Sequence, residues 1–134
     1  SPSYILPIQG LQRLQKIMDE YVGGTSTDYL TNEPMLLRGI ELLTMLKEDL
    51  SNIGADSLHQ LQRAWELNHR VIASECVTQH TLFRKETRWP GYYYRGDHPK
   101  LDDKDWHCFT LSQFDEESDS WSMEKAPVHH IIDK

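Results

Sequence analysis

Glu66 and His69 stand three residues apart in the run Trp65-Glu66-Leu67-Asn68-His69, a spacing that on a helix can turn a carboxylate and an imidazole toward one metal ion. A dinuclear site of that kind needs a second Glu-x-x-His and two more inward carboxylates, and the chain has no second copy. The pair is therefore expected at an exposed or capped position. His129 and His130 are adjacent, and neighbouring strand residues point to opposite faces, so they do not share an ion readily. Cys76 and Cys108 have neither a paired-cysteine spacing nor a local cation to make a thiol reactive, and read as small core residues. Asp102-Asp103 and Asp115-Glu116-Glu117 have the composition of an acidic metal loop without the alternating ligands and placed glycine that Ca²⁺ requires. No catalytic, cofactor-binding or metal-ligating residue is expected in these 134 residues.

The segment from Glu86 to Arg95, ETRWPGYYYR, has a different chemistry. Successive side chains of an extended stretch alternate in direction, so Tyr92, Tyr93 and Tyr94 cannot all enter one small core. Tyr, Trp and Arg combine large contact area with a hydrogen-bonding tip, which makes them the usual anchors of buried interfaces. Stacking on nucleic-acid bases would also call for a basic groove, whereas 21 acidic residues against 14 basic ones give a net charge of −7. Arg88, Trp89, Tyr92, Tyr93, Tyr94 and Arg95, with Asp97 and Trp106 nearby, form the expected protein interface; the competing expectation is a turn packed on its own chain. Arg88 and Arg95 would make charge-assisted hydrogen bonds across the contact.

Helices must carry this loop. Ile8, Leu11, Leu14, Met18 and Tyr21 recur at steps of three and four from Pro7 to Val22, and Gly23-Gly24 stops the pattern. Pro34 opens a second helix to about Asn52, with Leu36, Leu37, Ile40, Leu43, Leu46, Leu50 and Ile53 on its apolar stripe and Gly54 as a C-cap. Ser57-Leu-His-Gln60 has the form of a capping box, and Leu58, Leu61, Trp65, Asn68, Ile72, Glu75, Gln79 and Leu82 continue a third stripe to about Lys85. Met35, Met45 and Trp65 read as core. Three helices apolar on one stripe each bury those stripes against one another. Beyond them WHCFTLSQF and SWSMEKAPV alternate around DEESDS as a hairpin, with VHHII as a third strand or docking tail.

The expected fold is thus mainly α: an antiparallel three-helix bundle, spectrin-repeat-like, over residues 1–85, then an aromatic loop and a small antiparallel β-hairpin over 86–134 packed on it as one structural domain. The seven glycines form no G-x-G-x-x-G and no phosphate loop, so no nucleotide cradle is expected. Short apolar runs and an N-terminus without a basic start predict neither a membrane span nor an export signal, and two cysteines suit a reducing, cytoplasmic setting.

In order and spacing, Glu86-Thr87-Arg88, Asp97-His98-Pro99 and Asp102-Asp103-Lys104-Asp105-Trp106 resemble the C-terminal region of the succinate dehydrogenase and fumarate reductase flavoproteins. In that family a three-helix domain precedes a Glu-Ser/Thr-Arg segment, an Asp-x-Pro and an Asp-Asp-x-x-Trp. The succinate dehydrogenase form has a Gly and a His soon after the Arg; Trp89-Pro90-Gly91-Tyr92-Tyr93-Tyr94 at that place is similar instead to the adenylylsulfate reductase branch, α (flavoprotein) subunit. The motif likeness spans residues 86–109, and the helical layout extends it more weakly. It implies a larger cytoplasmic enzyme that interconverts adenylylsulfate with AMP and sulfite. FAD would be held by flavin and capping domains preceding Ser1, and a β subunit would carry two [4Fe–4S] clusters. None of the family's catalytic residues maps onto this chain, which would be structural and interface-forming, inactive alone and able to self-associate. The alternatives are the same domain of a succinate or fumarate enzyme and a free-standing helical interaction module.

Overall fold

A computed structural model describes residues 5–51, 57–88 and 92–128. Helix α1 (Pro7–Tyr21) starts on a proline whose missing N–H costs nothing in a first turn, with Gln9 Oε1 accepting from Leu6 N at 2.9 Å. Helix α2 (Glu33–Leu50) is capped by the Asn32 side chain, which accepts from Met35 N, and α3 (Leu58–Phe83) by Ser57 Oγ, which accepts from Gln60 N. All three start within one residue of the sequence expectation and stop within two.

Leu14 and Ile17 of α1, Leu43 and Leu46 of α2, and Leu67 and Val71 of α3 meet in the core. Each contributes about 1.5–3 kcal/mol by leaving water. Gly10 sets the approach of α1 to α3: a Cβ there would stand 2.6 Å from Leu67 Cδ2.

The third stripe is the main correction to the sequence reading. The face of α3 that enters the core is Ala64, Leu67, Val71, Glu75, Thr78 and Thr81, so of the expected stripe only Glu75 is on it. Thr78 and Thr81 hydroxyls bond back to the Ser74 and Val77 carbonyls, so their methyl faces pack like small apolar side chains. Leu58, Leu61 and Trp65 lie on the flank and are exposed, Trp65 to 65%. Met45 and Ile8 are also exposed, and Ile17, which lay outside the expected stripe, enters the core.

Past the helices come β2 (Tyr94–Arg95), a one-turn α4 (Asp103–Trp106), and the hairpin β3 (Cys108–Asp115) and β4 (Ser120–Pro127). The hairpin is in register from Cys108↔Pro127 to Asp115↔Ser120. It covers the second half of the α3 flank, with Cys76 Sγ 3.6 Å from Ser112 Oγ and His80 Nδ1 3.0 Å from Thr110 Oγ1. At its tip Lys47 stands 2.9 Å from Glu75 and also pairs with Asp119, while Trp121 Nε1 donates to Glu75 at 3.3 Å.

The connector between α1 and α2 does more than its polar composition suggested. Residues Leu30–Thr31 (β1) pair in parallel with β2, Leu30↔Tyr94 and Thr31↔Arg95, an arrangement without a sequence signal at two residues per strand. Asp28 and Tyr29 hold left-handed backbone (φ 53° and 65°) to present the Tyr29 carbonyl to Tyr94 N at 2.7 Å.

Candidate functional site

Helix α3 ends with carbonyls that have no helical partner, and Arg95 meets them. Its Nη1 donates to the carbonyls of Thr81 (2.7 Å), Leu82 (3.0 Å) and Arg84 (3.3 Å), while Nε and Nη2 each lie 2.8 Å from one oxygen of Asp97. Asp97 Oδ2 also accepts from Glu33 N, in the first turn of α2, at 3.0 Å. The cation therefore sits at the negative pole of α3 and the anion at the positive pole of α2. Arg95 is fully buried. Its hydrogen bonds hold the Asp97 carboxyl well below the usual carboxylate range against an opposing burial penalty.

Glu86 forms a second centre, also with no exposed surface. It accepts from Arg84 Nη1 (2.7 Å), Arg88 Nε and Nη2 (2.6 and 3.1 Å) and Asp102 N (2.9 Å). Burial disfavours its charge; the arginines and the amide outweigh burial and lower its pKa. Arg88 continues to Asp103 at 2.9 Å, and Arg84 to the carbonyls of Trp106 and Cys108. Thr87 Oγ1 donates to the His98 carbonyl and accepts from Arg95 N, and Thr87 N donates to the Lys100 carbonyl. Trp106 is buried edge-on against Phe83, with Lys125 Nζ 3.7 Å over its ring. The Glu-Thr-Arg, Asp-His-Pro and Asp-Asp-x-x-Trp segments are thereby bonded into one bracket that closes the bundle.

The donors that the sequence reading sent across an interface are used within the chain. Arg95 is bonded through Nε, Nη1 and Nη2, and Arg88 is committed to Glu86 and Asp103. Beside its exposed charges the bracket presents an aromatic face. Tyr92 is 78% exposed, and Tyr94 projects beside its ladder partner Leu30, with both more than a third exposed. Tyr93 turns inward against Gly23, whose φ of 81° and closeness to the Tyr93 Cβ leave no room for a side chain, and burial raises its phenol pKa. Trp89 lies outside the described residues. The described part of this patch thus offers aromatic contact area on a frame of buried ion pairs.

The other candidates are dispersed. Glu66 and His69 are both exposed, and the His69 ring packs 4.2 Å from Trp65. Cys76 and Cys108 are free and half-buried. Asp102 Oδ1 caps α4 by accepting from Asp105 N, and Asp115 Oδ1 accepts from Glu117 N in the hairpin turn. His129 and His130 fall outside the described residues, as does most of VHHII. Among the described residues no three His, Cys, Asp or Glu side chains converge as a metal set, and no helix is long and apolar enough to cross a membrane. Sequence reasoning used Glu86 and Thr87 only as a motif and missed that they are buried. The signal was present in Arg84-Lys-Glu86-Thr-Arg88, an acid spaced by two from arginines on both sides.

A family model described as the fumarate reductase flavoprotein C-terminal region matches residues 11–132. Adenylylsulfate reductase subunit alpha of Megalodesulfovibrio gigas is 42% identical over 132 residues, covering 98% of this chain and 20% of that protein. An uncharacterized FAD-dependent oxidoreductase of Methanocaldococcus jannaschii is 30% identical over 90 residues, 67% of this chain and 15% of its own length. The solved adenylylsulfate reductase of Archaeoglobus fulgidus superposes with a TM-score of 0.96 at 58% identity, covering all of this chain and 21% of that one. A solved adenosine-5-phosphosulfate reductase in covalent complex with sulfite matches equally well. The chain thus spans about a fifth of the length of the curated adenylylsulfate reductase subunit.

Proposed function

The chain belongs to the fumarate reductase flavoprotein C-terminal family, and from that premise we propose that it is the C-terminal domain of an adenylylsulfate reductase α subunit. The whole enzyme would interconvert adenylylsulfate with AMP and sulfite in the cytoplasm. The observation that carries this reading is the 58% identity to the Archaeoglobus fulgidus enzyme over the entire chain. A succinate or fumarate enzyme is the second reading, favoured by the family model alone.

Flavoprotein relatives imply FAD, and these residues do not fit it. The amides at the starts of α2 and α3 are already occupied by Asn32, Asp97 and Ser57, so neither of those helix N-termini is open to a pyrophosphate. FAD binding and the redox step would lie in the remaining four-fifths of the subunit, with electrons exchanged through an iron–sulfur β subunit. The present residues, folding as one structural domain, would be docked through Tyr92, Tyr94 and Leu30, with Trp89, Tyr93 and the exposed edges of Arg88 and Asp97 at the same contact, while the buried Arg95 and Trp106 hold those residues in place from within.

The test is to purify the full-length subunit with its partner, record the flavin spectrum and assay adenylylsulfate formation from AMP and sulfite with an added artificial electron acceptor to take up the two electrons. Flavin absorption with that activity is the expected result. Turnover of succinate or fumarate instead moves the domain to the second reading, and a colourless protein of 15.7 kDa overturns both.

A further inference from the structure

The chain has seven arginines, and five are paired with carboxylates: Arg13 with Asp49, Arg38 with Glu41, Arg84 and Arg88 with Glu86, and Arg95 with Asp97. Arg63 and Arg70 are the exceptions among the described residues. A shortage of acids cannot explain this, because the net charge is −7. The two are one heptad apart on α3, about 10 Å along its axis, and both border a groove of about 190 Å³ between α1 and α3. Ile8, Leu11 and Leu67 line its floor, and Ile8 is 53% exposed there. Glu66 lies between the arginines at helical spacing and forms an ion pair with neither. Over residues 57–73 the only charged side chains are these two arginines and Glu66, so this stretch is locally basic on an acidic molecule.

We propose that this groove docks a second polypeptide, which presents two carboxylates about 10 Å apart, one to each arginine, and an apolar side chain between them to cover Ile8 and Leu11. Two planar guanidinium forks give bidentate recognition of carboxylates, and an apolar floor between them excludes water from both pairs. A separate chain is favoured over the rest of the same subunit for two reasons. The groove lies about 24 Å along α3 from the aromatic patch through which the subunit is proposed to hold this domain, so the two contacts do not merge. Its rim of solvated, unpaired charge is also stable when empty and steers an oppositely charged partner in, which is the character of an interface made after folding. The inference rests on the groove, and needs from the proposed function only that the domain works in an assembly.

Carbodiimide, which joins an amine to a carboxylate without a spacer, tests this in the native assembly carrying Arg63→Lys and Arg70→Lys. The expected result is a cross-linked peptide pairing position 63 or 70 with an Asp or Glu of a different polypeptide, absent from the unsubstituted protein. Linkage to another part of the same subunit, to a second copy of it, only to Glu66, or to nothing overturns the proposal. In parallel, Arg63→Glu with Arg70→Glu should weaken association with the cross-linked partner at least tenfold and flatten its dependence on salt; unchanged affinity overturns the proposal as well. The spectrum and activity of the same preparation report on the flavoprotein reading separately, so failure of one is not mistaken for failure of the other.

Discussion

The two ends of α3 handle charge in opposite ways. At its C-terminal end Arg84, Glu86, Arg88, Arg95 and Asp97 satisfy one another, Glu86 and Arg95 fully buried; in its N-terminal half Arg63, Glu66 and Arg70 stand exposed and unpaired. A buried charge must be paired inside the fold, because removing it from water costs several kcal/mol. An exposed one is free to be paired by something else. Density of charge therefore does not mark the surface of this molecule, because its densest charged cluster is turned inward.

The strongest way to break the comparison is Arg95→Ala. It strips three carbonyls and Asp97 of their donor, and should cost about 3–5 kcal/mol in urea unfolding, as breaking a buried pair does. A loss below about 1 kcal/mol would mean that the bracket is ornamental. Next is Glu86→Gln, which leaves two arginines short of a counter-charge and is expected to cost about 2–3 kcal/mol. Its pH signature has a definite sign. Glu86 and Asp97 both have carboxyls depressed on folding from 4.5 and 3.8, so the native state binds fewer protons than the unfolded one. Their stabilisation is complete above pH 5 and is lost as pH falls through 4.5 and below. Glu86→Gln should flatten that acid slope, and Arg63→Ala should leave it unchanged.

Gly10→Val probes the open end through packing instead. The new side chain meets Leu67 where α1 touches α3, and after the gain in helix propensity a net loss of about 1 kcal/mol is expected in the unfolding midpoint. Trp65→Ser should do least, within about 0.5 kcal/mol, because the ring is mostly in water. A larger loss would show that the exposed flank of α3 supports the bundle after all.

The helices were legible because each has a local start signal, Pro7, Asn32-Glu-Pro34 or Ser57, and the hairpin because its alternation is sustained over eight residues per strand. The buried face of α3 was not, because size misleads there: Trp65 and Leu61 carry more apolar area than Thr78 and Ala64, yet the threonines cancel their own hydroxyls within the helix. The bracket was legible as a motif and illegible as a structure. Its bonds join residues 31–33 to 95–97 and 84–88 to 102–108, and spacing along the chain says nothing about which of several arginines will find which acid.

One of the longest of those reaches has a kinetic consequence. The Glu33 amide and the Asp97 carboxylate are 64 residues apart, so their bond closes only after α3 has folded back along α2. A contact closed that late is expected to be absent from the folding transition state, which a φ value near zero at Asp97 would show. Weakening them should leave the refolding rate nearly untouched and steepen unfolding, so the bracket governs the lifetime of the native state more than the speed with which it is reached.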